Sequence, residues 1–247
     1  MAVYPSMEQA VKEARNFGSV PVYSELKTDT APAEALLKFK NVSSHCYMLE
    51  SCEDRENHGR YTFVGYDPKL EISCRNYEIK ITDAFGVRRF SSSPQKYIRQ
   101  ILEDYRSPKN DALPDFTGGL VGFFGYDYAR YSVKGFEPQS QDDAHFKDVD
   151  LMLFDKVLAF DNKKGTVFLI ANMRTDEPQA NYKAACREIE IMRGILENGE
   201  PARLKKPRLK SAMKPLFDAD QYGEMVLKAK EHIKGRRYFS GCPFKPI

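Results

Sequence analysis

The residues best suited to bind a small charged molecule follow a short apolar segment, "CYML", at positions 46–49. Glu50 and Ser51 come directly after Leu49, and Arg60 begins the next strand-like segment, "RYTFVGY". A carboxylate and a hydroxyl at the end of one strand, with a cation at the start of the next, could surround one small zwitterion, because charged partners form the stronger hydrogen bonds. Taken alone, the same pattern favours the simpler interpretation of a hairpin with polar ends.

Other groups that could carry chemistry lack the partners that a reaction needs. The carboxylate pairs Glu53–Asp54 and Asp142–Asp143 lie in predicted loops, without a base or metal ligand to complete them. The cysteines and histidines show no C-x-x-C pair and no metal-ligand spacing, so the thiols are interpreted as reduced core fillers. These residues are Cys46, Cys52, Cys74, Cys186, Cys242, His45, His58, His145 and His232.

The segment "GGLVGFFGYD", which begins at residue 118, is unusually rich in glycine. It matches neither of the glycine patterns that cradle phosphates, G-x-G-x-x-G and G-x-x-x-x-G-K-[ST], and the residues between the glycines are apolar. We therefore interpret it as a buried strand and turn in which glycine lets another backbone approach closely.

Composition excludes several classes of protein. The chain has 247 residues, 42% of them hydrophobic, which is enough for a substantial core in one large domain or two small ones. The 38 basic side chains nearly balance the 35 acidic ones, for a formal net charge of +3, so no global field favours nucleic acid or a membrane as a partner. With no leader-like N-terminus and no run of about eighteen apolar residues, the sequence predicts a cytoplasmic protein.

Apolar spacing and turn residues predict a mixed order of helices and strands. Four strands between residues 46 and 83 predict an antiparallel meander, and "DLMLFDKVLAFD" with "GTVFLIANM" predicts one long hairpin around a turn at 162–165. The predicted fold class is α+β, with mostly antiparallel sheets covered by helices. Helices are expected over 6–16, after a cap at Thr30, after Ser93 with Tyr97, Ile101 and Leu102 inward, over 177–198, and from Asp218 or Asp220 to Lys234.

Several of these segments together resemble the N-terminal half of anthranilate synthase component I. They are "SVPVYSELKTDTAPAEALLKF", "MLESCE", "GRYTFVGYDP", "GGLVGFFGYDYAR" and "DLMLFDKVLAFD", in that order along the chain. The resemblance implies an N-terminal regulatory domain over 1–198, a basic Pro-containing linker over 199–216, and the first helix of the chorismate-binding half over 217–234. The basic linker is interpreted as solvated rather than as a nucleic-acid patch, since no aromatic residues are interleaved with its charges.

The resemblance also implies a ligand and a reaction. Enzymes of this type convert chorismate and ammonia, released from glutamine by a separate amidotransferase component II, into anthranilate and pyruvate with magnesium. The catalytic residues and magnesium ligands are expected in the half that follows this span, so none is assigned here. Tryptophan, the feedback inhibitor, is expected at Leu49, Glu50 and Ser51, with Arg60 as the basic partner. Because that site also uses residues of the other half, binding is expected to be weak.

The final segment, 235–247, departs from the family. Its "GRRYFSGCPFKP" can be encoded so that a one-base slide yields Asp-Ile-Phe-Gln-Val-Val-Leu-Ser, which resembles the family's continuation. We therefore expect a truncated component I, cut off by a frameshift and inactive alone. The alternatives are the N-terminal half of aminodeoxychorismate synthase component I and a non-catalytic amino-acid-binding remnant.

Overall fold

A computed structural model describes most of the chain as two compact units. The units are Met1–Arg203 and Leu204–Ile247, and each is considered by itself. The described residues are 2–51, 59–136, 142–204 and 206–235.

The first unit contains, within the described residues, two five-stranded antiparallel sheets, four helices and a short 3-10 helix, Tyr126–Tyr131. This architecture confirms the predicted α+β class. The helices are α1 (Met7–Glu13), α2 (Pro32–Phe39), α3 (Pro94–Asp104) and α4 (Pro178–Asn198). The strands are β1 (Ser19–Lys27), β2 (Cys46–Leu49), β3 (Tyr61–Tyr66), β4 (Leu70–Arg75), β5 (Glu78–Asp83), β6 (Gly86–Ser91), β7 (Gly119–Phe124), β8 (Val149–Phe154), β9 (Lys156–Asp161) and β10 (Thr166–Arg174).

The first sheet, in the order β1-β10-β9-β3-β2, holds the larger core on one face. Because successive side chains of a strand alternate between faces, Val22 of β1 and Leu158 of β9 point to the same side, where both are fully buried. Ile189, Met192 and Leu196 repeat at helical spacing along α4 and are fully buried in the same core. Helices α1, α2 and α4 therefore cover this face of the sheet. Tyr23 and Phe168 lie on the other face, in a separate smaller core.

The second sheet, in the order β6-β5-β4-β8-β7, buries one face beneath α3 and the 3-10 helix. Ile72 of β4 and Ile79 of β5 are almost completely buried there, and Ile98 and Ile101 of α3 pack on them. The prediction for Ile101 is thus confirmed. The prediction that Leu102 points inward is wrong, because its side chain is 51% exposed: the buried stripe of α3 runs through Ile98 instead.

The chain passes between the two sheets twice, after β3 and after β8, and charged residues lie at both connections. Asp67 follows β3 on the way to β4, and Asp155 separates β8 from β9. The buried ammonium of Lys156 forms an ion pair with Asp67 and lies 5.1 Å from the ring centroid of Tyr66, while Lys69 approaches Asp155 to 3.5 Å. The charge on Lys156 is thus neutralised by a carboxylate from the other connection, as a buried ammonium requires.

These connections overturn two predictions about strand order. The four-strand meander is wrong, since β3 pairs with β2 and β9 in the first sheet while β4 pairs with β5 and β8 in the second. The segment "DLMLFDKVLAFD", which was predicted as one strand, forms two strands, β8 and β9, and these lie in different sheets. The hairpin around 162–165 is confirmed for β9 and β10, and β6, which pairs with β5, is an additional strand.

The helices are confirmed, but one of their predicted caps is wrong. Helix α2 begins at Pro32, a residue suited to the first helical position, so Ala31 and not Thr30 occupies the N-cap, without a side-chain cap. Ser93 does occupy the N-cap of α3, yet its side chain makes no capping hydrogen bond.

The second unit contains the helix α5 (Ala219–Lys234). Asp218 is its N-cap and accepts a hydrogen bond from the Gln221 amide at 2.8 Å, which confirms one of the two predicted caps. The predicted frameshift tail lies outside the described residues from 236 onward, as does Lys205. No helix in the described part of the chain is both long and apolar enough to cross a membrane.

Candidate functional site

The structure brings the ends of β2 and β3 to the same edge of the first sheet. The antiparallel pairing sets Leu49 opposite Phe63, so Glu50 and Ser51 leave β2 where Arg60 leads into β3. Leu49 is 44% exposed, and Glu50 and Ser51 are exposed as well. The four residues singled out in the sequence thus share one accessible edge, while Cys52–His58 between them lie outside the described residues.

Arg60 is already engaged by a carboxylate from β9. Its Nη2 donates to Oδ2 of Asp161 at 2.6 Å, and its Nε lies 3.3 Å from Oδ1 and 3.2 Å from Oδ2 of the same side chain. The guanidinium also lies 4.9 Å from the ring centroid of Tyr61, within reach of a cation–π interaction. Asp161 is fully buried whereas Arg60 is 35% exposed, so the cation faces solvent and its partner does not.

Asp161 is itself fixed by the turn that follows β9. Its Oδ1 accepts hydrogen bonds from the amides of Lys163 and Lys164, both at 3.1 Å, as an Asp at the start of a tight turn commonly does. Burial by itself would raise the pKa of Asp161, but the hydrogen bonds from Arg60 and from the two amides outweigh it and hold the pKa below its ordinary value. The carboxylate is therefore ionised at neutral pH, where it supplies a counter-charge to Arg60.

Aromatic rings lie beside this edge. Phe116 meets Phe63 edge to face at 5.3 Å, and Tyr61 is 6.1 Å from Phe63. Tyr47 of β2 packs against Phe154 at 4.7 Å, in space that exists because residue 65 is glycine: a Cβ there would lie 2.1 Å from the Tyr47 ring. The hydroxyl of Tyr47 is buried without a hydrogen-bond partner among the described residues, and burial raises its pKa.

This arrangement is suited to binding rather than to bond making. It combines an exposed carboxylate at Glu50, a guanidinium held beside an aromatic ring, and apolar rings, which are the groups that would recognise an ammonium, a carboxylate and a ring. Within the parts of the chain that the structure describes, no three His, Cys, Asp or Glu side chains are placed to hold a metal ion. No catalytic step is assigned to the described residues.

Stability should depend on pH through Asp161. Since the pKa of this carboxylate is lowered by folding, the stabilisation is complete above the ordinary aspartate pKa of about 4 and is lost as the pH falls through the lowered value. Comparing Asp161→Asn with the wild type by urea unfolding should give a difference that is constant near neutral pH and shrinks below about pH 4. A difference unchanged down to pH 2 would contradict the assignment.

The glycine-rich segment behaves partly as predicted. It forms β7 at the edge of the second sheet, and a Cβ on Gly122 would lie only 2.0 Å from the backbone oxygen of Asp150 on β8. Close backbone approach is thus confirmed as the role of this glycine. The strand is not buried as a whole, however, because Phe123 and Phe124 are 40% and 52% exposed at this edge.

The other candidate residues that the structure describes take part in ion pairs or in packing. Asp142 forms an ion pair with Arg75 at 3.4 Å, and Arg75 also lies 2.8 Å from Nδ1 of His145. Cys46, Cys74 and Cys186 are free thiols, and burial raises the pKa of each, as expected of unreactive packing residues. The candidates Cys52, Glu53, Asp54, His58 and Cys242 lie outside the described residues.

The sequence of this chain is similar to those of known proteins. The sequence profile of the family described as chorismate binding enzyme matches residues 44–243. A protein named anthranilate synthase component 1 from Acinetobacter calcoaceticus is 30% identical over 229 residues, covering 88% of this chain and 45% of the relative. One of the same name from Acetivibrio thermocellus is 27% identical over 240 residues, covering 94% and 48%.

A solved structure is also similar. The crystal structure of anthranilate synthase component I from Streptococcus pneumoniae aligns with a TM-score of 0.48 at 22% sequence identity, covering 83% of this chain and 44% of that chain. The chain thus spans about half the length of the curated relatives it matches. The family match includes most of the span 1–198, so the division into a regulatory domain and a following chorismate-binding half stays a prediction.

Proposed function

This chain belongs to the family of chorismate-binding enzymes, and we propose from that premise that it is part of an anthranilate synthase component I. We propose that the part of the chain described by the structure binds tryptophan as a regulatory ligand. The names of the two curated relatives support anthranilate synthase over the aminodeoxychorismate branch. On this proposal the complete enzyme serves tryptophan biosynthesis, with the amidotransferase component II as its ammonia-supplying partner.

The observation that carries the tryptophan proposal is that Glu50, directly after β2, and Arg60, directly before β3, lie at one edge of the first sheet. The amino acid is a zwitterion with an aromatic ring, and the edge offers an exposed carboxylate, a guanidinium and aromatic side chains. Glu50 would pair with the ligand's ammonium and Arg60 with its carboxylate. Leu49 and the backbone beside Ser51 would orient the ligand, in keeping with sites in which a few polar groups fix an apolar molecule.

We further propose that conversion of chorismate needs residues outside this span. The chain covers 45% and 48% of the two curated relatives, and the acidic residues of its described part do not converge on a metal site. Magnesium chemistry is accordingly proposed for the other half of the complete enzyme. Purified chain supplied with chorismate, ammonium and magnesium should form no anthranilate, and turnover by the chain alone would refute this part of the proposal.

Tryptophan binding can be measured directly, because the chain contains no tryptophan of its own. Fluorescence of the added amino acid, excited beyond the tyrosine absorption, should shift and become anisotropic when it binds. Glu50→Gln should weaken binding about fivefold, the effect of losing one exposed charge pair of about 1 kcal/mol. Since Glu50 is exposed, this substitution should leave the fold intact.

The matched control is Glu78→Gln, which removes an exposed carboxylate from β5 in the second sheet. It should leave the tryptophan affinity unchanged. No change in fluorescence anisotropy at millimolar tryptophan with the wild-type chain would refute the proposed ligand. Equal losses in the two variants would instead indicate a general effect of surface charge.

A further inference from the structure

The pairing of Arg60 with Asp161 uses only one side of the guanidinium. A guanidinium carries five N–H donors in a planar fork. The Nε and Nη2 atoms face Asp161, and among the described residues no hydrogen bond is made by Nη1. The outer edge of the fork, formed by the two terminal nitrogens, is thus free within the described chain to bind a second carboxylate in a bidentate manner.

Asp161 is much more rigidly held than the arginine it contacts. It is fully buried, it ends a strand paired on both sides, and two turn amides bind its Oδ1. Arg60 precedes β3, remains 35% exposed, and is followed by Tyr61, whose ring supports the guanidinium. The buried residue therefore determines where the exposed cation lies.

We propose that Asp161 is a positioning residue for ligand binding, which holds Arg60 by its inner edge so that the outer edge meets the carboxylate of a zwitterionic amino acid. This inference rests on the proposed tryptophan site and assigns to that site a residue 101 positions away in the chain. An arginine side chain carries about 2 kcal/mol of rotamer entropy. Because Asp161 restricts that freedom before the ligand arrives, less of it is lost on binding.

The opposing interpretation is that the pair serves only to join β3 to the β9–β10 turn. The two interpretations differ in what happens to recognition of the ligand's carboxylate. A structural role predicts that removing Asp161 lowers stability and weakens all ligands alike. A positioning role predicts a loss confined to ligands that carry the carboxylate.

The test compares L-tryptophan with L-tryptophanamide, which keeps the indole and the ammonium but lacks the carboxylate. Affinities are measured on the full chain by the fluorescence of the ligand. The wild type should bind tryptophan more tightly than the amide. Asp161→Asn keeps an acceptor for the turn amides but removes the charge, and it should weaken tryptophan about tenfold while changing the amide less than about twofold, which removes the preference.

Two further variants keep the test decisive. Asp83→Asn disrupts another arginine–aspartate pair, in which Arg88 Nη2 lies 2.6 Å from Asp83 Oδ2 on the second sheet, and it should leave both affinities unchanged. Arg60→Lys preserves a cation beside Asp161 but cannot offer a second edge, and it should lose the same preference. This variant carries the test if Asp161→Asn proves unfolded by circular dichroism.

The outcomes are separable. Selective loss of tryptophan binding in Asp161→Asn or Arg60→Lys supports the inference. Unchanged selectivity in a folded Asp161→Asn variant, with the wild type still binding tryptophan, overturns the inference and leaves the proposed function standing. Failure of the wild type to bind tryptophan overturns the proposed function and the inference together.

Discussion

Replacing Gly122 by alanine is expected to lower the free energy of unfolding by about 3 kcal/mol. The added Cβ would lie 2.0 Å from the backbone oxygen of Asp150 and 2.9 Å from Cα of Leu151, with φ at +156°. These are backbone atoms of the neighbouring strand, so they cannot rotate away as a side chain could. The pairing of β7 with β8 must therefore open, and part of the second sheet's edge is lost.

Urea unfolding, followed by circular dichroism and tyrosine fluorescence, would measure the change. Gly194→Ala is the matched control because this glycine lies on an exposed face of α4 and has nothing within 4 Å of an added Cβ. There alanine should stabilise the helix by about 0.5–1 kcal/mol. A loss of less than 1 kcal/mol for Gly122→Ala would show that β7 is free to shift away from β8.

Helices were the most predictable part of this fold, because their apolar spacing is a local property. Ile189, Met192 and Leu196 recur on one side of α4 and are all fully buried. Strand partners were not predictable in the same way. The run "DLMLFDKVLAFD" is apolar on both sides of Asp155, so nothing local indicates that the chain changes sheets there. In the structure the crossover lies at Asp155, between β8 and β9, beside the ion pairs of Lys156 and Lys69.

The candidate site was predictable only in its local part. Leu49, Glu50 and Ser51 follow one strand and Arg60 precedes the next, so antiparallel pairing of neighbours is enough to expect them at one edge. Asp161 was missed because it reaches Arg60 through the pairing of β3 with β9, which joins distant segments. The available signal was an aspartate at the end of an apolar strand, before the turn residues Asn-Lys-Lys-Gly.

Replacing Phe39 by alanine is expected to have the largest effect on stability, a loss of about 4 kcal/mol. Phe39 is fully buried in the core of the first sheet, and its ring centroid lies 4.5 Å from that of Tyr66. Truncation would leave a cavity between α2 and β3 that the surrounding backbone can close only in part. A folded domain is stable by about 5–15 kcal/mol, so this variant should unfold at a much lower urea concentration.

The effect should extend to ligand binding, because α2 contacts β2 and β3, the strands that end in Leu49 and begin after Arg60. Phe85→Ala serves as the control, since it removes the same ring at a position that is 99% exposed, and it should leave both stability and tryptophan affinity unchanged. If Phe39→Ala lowered stability as expected yet left the affinity intact, the support of α2 would not be needed for the geometry of Arg60 and Glu50. That result would leave the β9 turn, through Asp161, as the element that determines the site.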